Sequence, residues 1–123
     1  MNNVENNKKI AVQFLEHIVN RKIDEAYQLV NMDGKHHSPF YPAGFSALQK
    51  GMKENDGNIP EKKLTVHQVI AEDNMVSVFV HLALKPYEMA VVYIFKFKDG
   101  KIDELWDCGM SIPEEIKNKD GIF

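Results

Sequence analysis

The chain holds a single cysteine, Cys108, and a single arginine, Arg21, among its 123 residues. One cysteine excludes an intrachain disulfide and any zinc site built on cysteines. Nucleic-acid binders carry a basic excess and arginine forks for phosphate. Here 15 basic residues face 18 acidic ones, a formal net charge of −3, so no nucleic-acid partner is expected. No apolar stretch nears the roughly 18 residues of a membrane span. The opening Met1-Asn2-Asn3-Val4-Glu5-Asn6-Asn7 has no apolar secretory core, which points to the cytoplasm. The glycines form no phosphate-cradling loop, and there is neither a serine elbow nor a nucleotide fingerprint. The five histidines (His17, His36, His37, His67 and His81) lack the spacing of a helical zinc motif. His36 and His37 are adjacent, so on a strand they point to opposite faces. Neither a metal nor a cofactor is expected.

What is present describes one folded domain, residues 1–123. The hydrophobic fraction is 44% and the charged fraction 27%, both ordinary for a globular protein. A chain of this length forms a globule with a radius of gyration of about 14 Å.

The N-terminal half has helical periodicity. Ile10, Ala11, Phe14, Leu15 and Ile18 make one apolar stripe between Asn6 and Asn20, with Asn2, Asn3 and Asn6 as capping candidates. Asp24 reads as the N-cap of a short second helix running to Val30, ended by Asp33-Gly34. Lys35 to Gly44 is irregular, because Pro39, Pro42 and Gly44 forbid a helix, yet it is rich in histidine and aromatics. A third helix shows Phe45, Leu48 and Met52 on one face and stops at Asp56-Gly57-Asn58-Ile59-Pro60. Four strands follow: Leu64 to Ala71, Met75 to Lys85, Glu88 to Lys98 and Lys101 to Met110. Glu72-Asp73-Asn74 and Pro86-Tyr87 are turns, and Asp99-Gly100 is the strongest hairpin signal. The tail from Ser111 to Phe123 has room for one helical turn after Pro113. Helices followed by long hairpins predict an α+β domain with the helices on one face of a curved antiparallel sheet. The strand from Met75 to Leu84 is apolar on both parities, so both its faces are covered. The helices cover one. A second copy of the chain, making a homodimer through the sheet, is favoured for the other over the lysine-rich tail.

Polar groups that interrupt apolar strands are the candidates for chemistry. His81 falls among Val78, Phe79, Val80, Leu82 and Ala83, and Tyr93 among Val91, Val92, Ile94 and Phe95. By residue type alone the common roles are a half-buried histidine and a core tyrosine. Asp107 shares a strand face with Leu105, which fits a solvated surface poorly and fits a strand-end acceptor or a functional carboxylate equally well. His37 lies in the irregular aromatic segment. Together Asp107, His37, His81 and Tyr93 allow an acid–base site. A carboxylate in a low-dielectric pocket has its pKa raised towards neutrality, and a tyrosine hydroxyl can donate to a developing oxyanion, as the ketosteroid isomerase case illustrates. Cys108 has the opposite parity and reads as a core or interface thiol.

The segment His37-Ser38-Pro39 leading to Gly44, and the run Asp99-Gly100-Lys101-Ile102-Asp103-Glu104-Leu105-Trp106-Asp107, resemble the SnoaL-like polyketide cyclase family of the nuclear transport factor 2-like superfamily. The resemblance implies a cone-shaped barrel, a strongly curved antiparallel sheet wrapped by helices around a deep pocket, with dimers through the sheet. It implies that Asp107 is an acid/base that needs neither cofactor nor metal, that His37 lines the pocket, and that His81 holds a strand position that is frequently histidine. Ser38, Leu105 and Gly109-Met110 depart from the family pattern. Tyr93 stands where catalytic relatives carry His or Asp, replacing a titrating partner with a neutral donor. Three functions fit: a cofactor-independent cyclase, isomerase or dehydratase acting on an apolar carbonyl compound; a binding module for an apolar small molecule; or an interaction domain used through its dimer face.

Overall fold

Eight elements follow one another in the computed structural model, which describes residues 3–59, 61–85 and 87–123. They are α1 (Val4–Val19), α2 (Ile23–Tyr27), β1 (Val30–His36), α3 (Phe45–Asn58), β2 (Lys62–Glu72), β3 (Met75–Leu84), β4 (Glu88–Lys98) and β5 (Lys101–Ser111). The strands form one sheet in the order β1-β5-β4-β3-β2. It is antiparallel except where β1 runs parallel to β5. The sheet curls around the helices without closing, so β1 and β2 remain its two edges.

Asn3 caps α1, its side chain accepting from the Asn6 amide at 3.0 Å. At the other end Arg21 adopts φ 65 in the left-handed region. The Arg21 and Lys22 amides then donate back to the carbonyls of Ile18 and His17, a Schellman closure. Lys22, not Asp24, precedes α2, and Asp24 sits inside its first turn. α2 ends at Tyr27, and Val30 begins a strand where the sequence pattern predicts helix and then irregular chain. α3 continues through Asp56 and Gly57 to Asn58. The Asp99-Gly100 hairpin forms as its sequence dictates, with φ 53 and 78 at the two turn residues. Residues 112–123 hold a turn near Lys119 and Asp120 in place of the expected helical turn. Asn2, Pro60 and Pro86, also read from the sequence, lie outside the described residues.

The core lies between the helices and the concave sheet face. Phe14 of α1 packs edge-on against Tyr27 at 5.6 Å and Phe95 of β4 at 5.8 Å, joining three elements. Val76, Val78 and Val80 of β3, with Phe95 and Ile102, complete the floor. On the convex face the tail crosses β2 and β3. Phe123 stacks on His67 at 4.2 Å and lies 5.2 Å from both Phe79 and His81. The tail is therefore one cover of that face. Cys108 is exposed there, so it is not a core thiol.

Edge strand β1 can dock only because it carries Gly34. A Cβ at that position would lie 1.9 Å from the Asp103 carbonyl oxygen of β5. Gly34→Ala is expected to destabilise the fold by about 1–3 kcal/mol or more through overpacking against a backbone atom. Urea unfolding reads this as a lowered midpoint, and an unchanged midpoint would show that β1 docks less tightly than drawn.

Candidate functional site

The site begins with a break in strand alternation. Lys96 pairs with Glu104 and Phe97 with Ile102, which leaves Asp103 as an extra residue in β5. This bulge shifts the strand by one residue. Without it, Tyr93 would oppose Trp106. With it, Tyr93 opposes Asp107, and Leu105 and Asp107 both face the concave side. The Asp103 carboxylate accepts from the Asn31 side-chain amide of β1 at 2.9 Å, which ties the bulge to the sheet edge.

Tyr93 and Asp107 line a cavity of about 170 Å³ between the sheet and the helices. Leu15, Ile18, Leu48, Met52, Leu82 and Leu84 supply its apolar wall. Ser38, Tyr41, Asn55 and Lys62 add polar groups. Opposed residues on neighbouring strands bring their Cβ atoms to about 5 Å, so the phenol and the carboxylate meet on one surface. Among the described residues no side-chain hydrogen bond engages the Asp107 carboxylate, whereas other acidic groups are bonded (Asp103 to Asn31, Glu104 to His37, Asp56 to Lys62). A larger concavity of about 650 Å³ lies at the strand ends around Glu61, Lys62, Lys63 and Lys85. It includes none of the four candidate residues.

Tyr41 comes from the proline-containing loop before α3, and its ring lies over Gly51 of that helix. A Cβ at Gly51 would come within 2.2 Å of the ring, so only glycine lets the phenol lie there. Burial raises the pKa of Tyr93, and the charge of Asp107 and then Tyr41 raise it further. Tyr41 is raised by burial first, then by Asp107 and Glu54. Both hydroxyls therefore keep their protons and can donate.

The four residues singled out from the sequence separate into two pairs. The structure brings Asp107 and Tyr93 together in the cavity and puts His37 and His81 on the convex face. His37 bonds Glu104 at 2.6 Å and stacks on Trp106 at 5.0 Å. His81 lies under Phe123, its Nε2 3.3 Å from Glu88 and without a hydrogen bond of good geometry. The adjacent histidine, His36, is the one that turns inward. Its Nδ1 accepts from the Ser38 amide at 3.1 Å and its Nε2 donates to the Pro42 carbonyl at 2.8 Å. Both ring nitrogens are thus spent on holding the loop that delivers Ser38 and Tyr41.

Lys62 and Tyr41 are cavity residues that sequence reasoning missed. For Lys62 a signal existed: it has the inward parity of Leu64 and Val66 along β2. For Tyr41 there was none, because its position depends on the loop's path and on Gly51.

The chain belongs to the SnoaL-like domain family, whose sequence profile matches residues 11–105. Asp107 lies two residues beyond the matched stretch. No curated protein matches the chain. Among solved structures, a candidate ketosteroid isomerase from Kribbella flavida DSM 17836 is 19% identical, with a TM-score of 0.76 over 95% of this chain and 87% of that one. An LEH-like epoxide hydrolase from M. tuberculosis is 16% identical, with a TM-score of 0.69 over 85% and 82%. A SnoaL-like polyketide cyclase from Agrobacterium tumefaciens strain C58 is 13% identical, with a TM-score of 0.69 over 82% and 88%. The architecture is the nuclear transport factor 2-like α+β cone, with its sheet left open. No helix among the described residues is long and apolar enough to cross a membrane.

The tyrosines set an alkaline limit on stability. Tyr93, Tyr41 and Tyr27 all have pKa values raised above the ordinary 10.0 by burial. As pH climbs through 10, the unfolded chain loses these protons first, so their stabilisation is complete below pH 10 and declines above it. Urea unfolding between about pH 8 and about pH 11 should show this decline, and Tyr93→Phe should make it shallower. An equal slope in the variant would mean that Tyr93 ionises freely in the folded protein.

Proposed function

We propose that the chain is a small acid–base enzyme acting on a carbonyl compound, in the class of isomerases, cyclases and dehydratases. One observation carries this: Asp107 presents a carboxylate without a side-chain hydrogen bond to an apolar-walled cavity, directly opposite a protonated tyrosine. A structural carboxylate is normally consumed by its partners, whereas a working base needs free lone pairs facing the substrate.

Asp107 takes a proton from a carbon beside the carbonyl. The C–H electron pair moves into the new C=C bond and the carbonyl π pair moves onto oxygen. The Tyr93 hydroxyl, supported by Tyr41, donates to the enolate oxygen and keeps its own proton. In the isomerisation of a β,γ-unsaturated ketone the enolate is conjugated with that double bond, so Asp107 returns the proton to the γ-carbon, the double bond moves to the α,β position and the carbonyl re-forms. Atoms and charge balance with no co-reactant. His37 and His81 have no part in these steps. The names borne by structural relatives, an isomerase, a cyclase and a hydrolase, agree with small-molecule chemistry in this kind of pocket.

The assembled form in this proposal is a homodimer through the convex sheet face. The tail lies over β2 and β3, while Met110 and Cys108 of β5 remain exposed. Sedimentation equilibrium at micromolar concentration should return twice the 14.1 kDa chain mass, and a monomer would leave the tail as the sole cover.

Deuterium exchange at the α-carbons of hexan-2-one, followed by NMR, tests the chemistry. Asp107→Asn preserves shape and should slow exchange by about 10²–10⁴-fold, the usual worth of a positioned base. Exchange that continued undiminished would place the base elsewhere. Ketone binding by the wild type with no catalysed exchange would make the cavity a binding site only.

A further inference from the structure

Lys62 has an arrangement that a surface lysine does not need. Its side chain is 7% exposed, and that of its partner Asp56 is 12% exposed. Their hydrogen bond ties the end of α3 to the start of β2. Arg21 adds a long contact of 3.4 Å to the Asp56 carbonyl oxygen, which joins the end of α1 to the same point. An ammonium has three N–H donors. Among the described residues only Asp56 accepts from Lys62, so two donors are unspent on a largely buried side chain that stands between this cavity and the larger concavity at the strand ends. Lys62 also lines the cavity that holds Tyr93 and Asp107. It stands on β2, two strands from Tyr93 and three from Asp107 in the sheet order.

We infer that Lys62 is a second polar anchor of this cavity, selecting substrates that carry a neutral oxygen acceptor, a hydroxyl or a second carbonyl, remote from the reacting carbonyl. The inference rests on the acid–base reading of the same site and extends it to substrate class. Charge decides for a neutral acceptor over an anion. Asp56 already balances the Lys62 ammonium, and the Arg21 guanidinium is turned to the Asp56 backbone carbonyl, so a ligand carboxylate placed at Lys62 would face the Asp56 charge. Size narrows the class further. A cavity of about 170 Å³ is smaller than the roughly 300–1,000 Å³ typical of drug-sized ligands. It suits a short chain or one ring, not a fused polycycle.

The substitution that tests this must not leave a buried charge alone. Lys62→Met by itself strands the Asp56 carboxylate, which strongly destabilises a protein. The working variant is therefore Lys62→Met/Asp56→Leu, which replaces the pair with apolar groups of similar length, checked for folding by circular dichroism. The probes are methyl ketones from butan-2-one to octan-2-one, each compared with the same ketone bearing a terminal hydroxyl. Binding is read from protein amide shifts in NMR.

For wild type, one chain length should show the hydroxyketone binding about tenfold more tightly than its parent ketone, the worth of a hydrogen bond to a charged donor. In the double variant that increment should vanish, so that the hydroxyketone and its parent ketone bind equally. A flat profile at every chain length, or an increment that survives in the variant, would overturn the anchor. Tighter binding of the ω-keto acid than of the hydroxyketone would overturn the neutral-acceptor assignment. The two proposals fail separately. Exchange lost in Asp107→Asn with no hydroxyl increment leaves the base and removes the anchor. A Lys62-dependent increment without catalysed exchange leaves the anchor and removes the base.

Discussion

One extra residue in β5 decides what this protein can present to a ligand. Asp103 has no partner in β4, and the strand beyond it is displaced by one position. Because side chains alternate with a period of two, that displacement exchanges the two faces. Leu105 then enters the core and Asp107 the cavity, while Glu104 and Trp106 go to the convex side with His37. The bulge is held from β1 by two different means. Asn31 bonds the Asp103 side chain, and Gly34 leaves room for its carbonyl. The edge strand thus serves the site although it contributes no reactive group to it.

Packing on the other side of the cavity has the same character. Phe14 seats α1 and α2 against β4, and this fixes how far the helices stand from the sheet. His36 spends both ring nitrogens on the loop that carries Ser38 and Tyr41. The Lys62–Asp56 pair closes the gap between α3 and β2. Each contact brings residues remote in sequence to one boundary.

Local signals in the sequence carried the helical stripe of α1, the Asp99-Gly100 turn and the extent of β3 and β4. Each of these depends on nearest neighbours: an apolar period, a left-handed turn pair, a run of β-branched residues. β1 was not legible, because Val30-Asn31-Met32-Asp33-Gly34-Lys35-His36 is rich in turn formers and becomes a strand by parallel pairing with residues about 70 positions later. The site was half legible. Asp107 and Tyr93 stand out as polar residues in apolar strands, and Leu105 marked the face of Asp107 correctly. His81 stood out for the same reason yet faces outward, since β3 is apolar on both parities and alternation could not choose between them. His37 stands out over His36 only through the His37-Ser38-Pro39 segment of the family resemblance, and the direction of that segment is set by the fold.

The contact between Tyr41 and Gly51 separates two properties that many pockets mix. The two groups proposed to act on protons, Tyr93 and Asp107, stand on β4 and β5, where backbone pairing fixes their distance. The boundary that decides which molecules enter is made largely by α1, α3 and the loop before α3. At Gly51 that boundary is a missing side chain filled by a ring from elsewhere in the chain. Exchanging residues along this helix and loop would reshape the accepted molecule while Tyr93 and Asp107 stayed in register. One chemistry could thus be fitted to many compounds by altering a wall that takes no part in it.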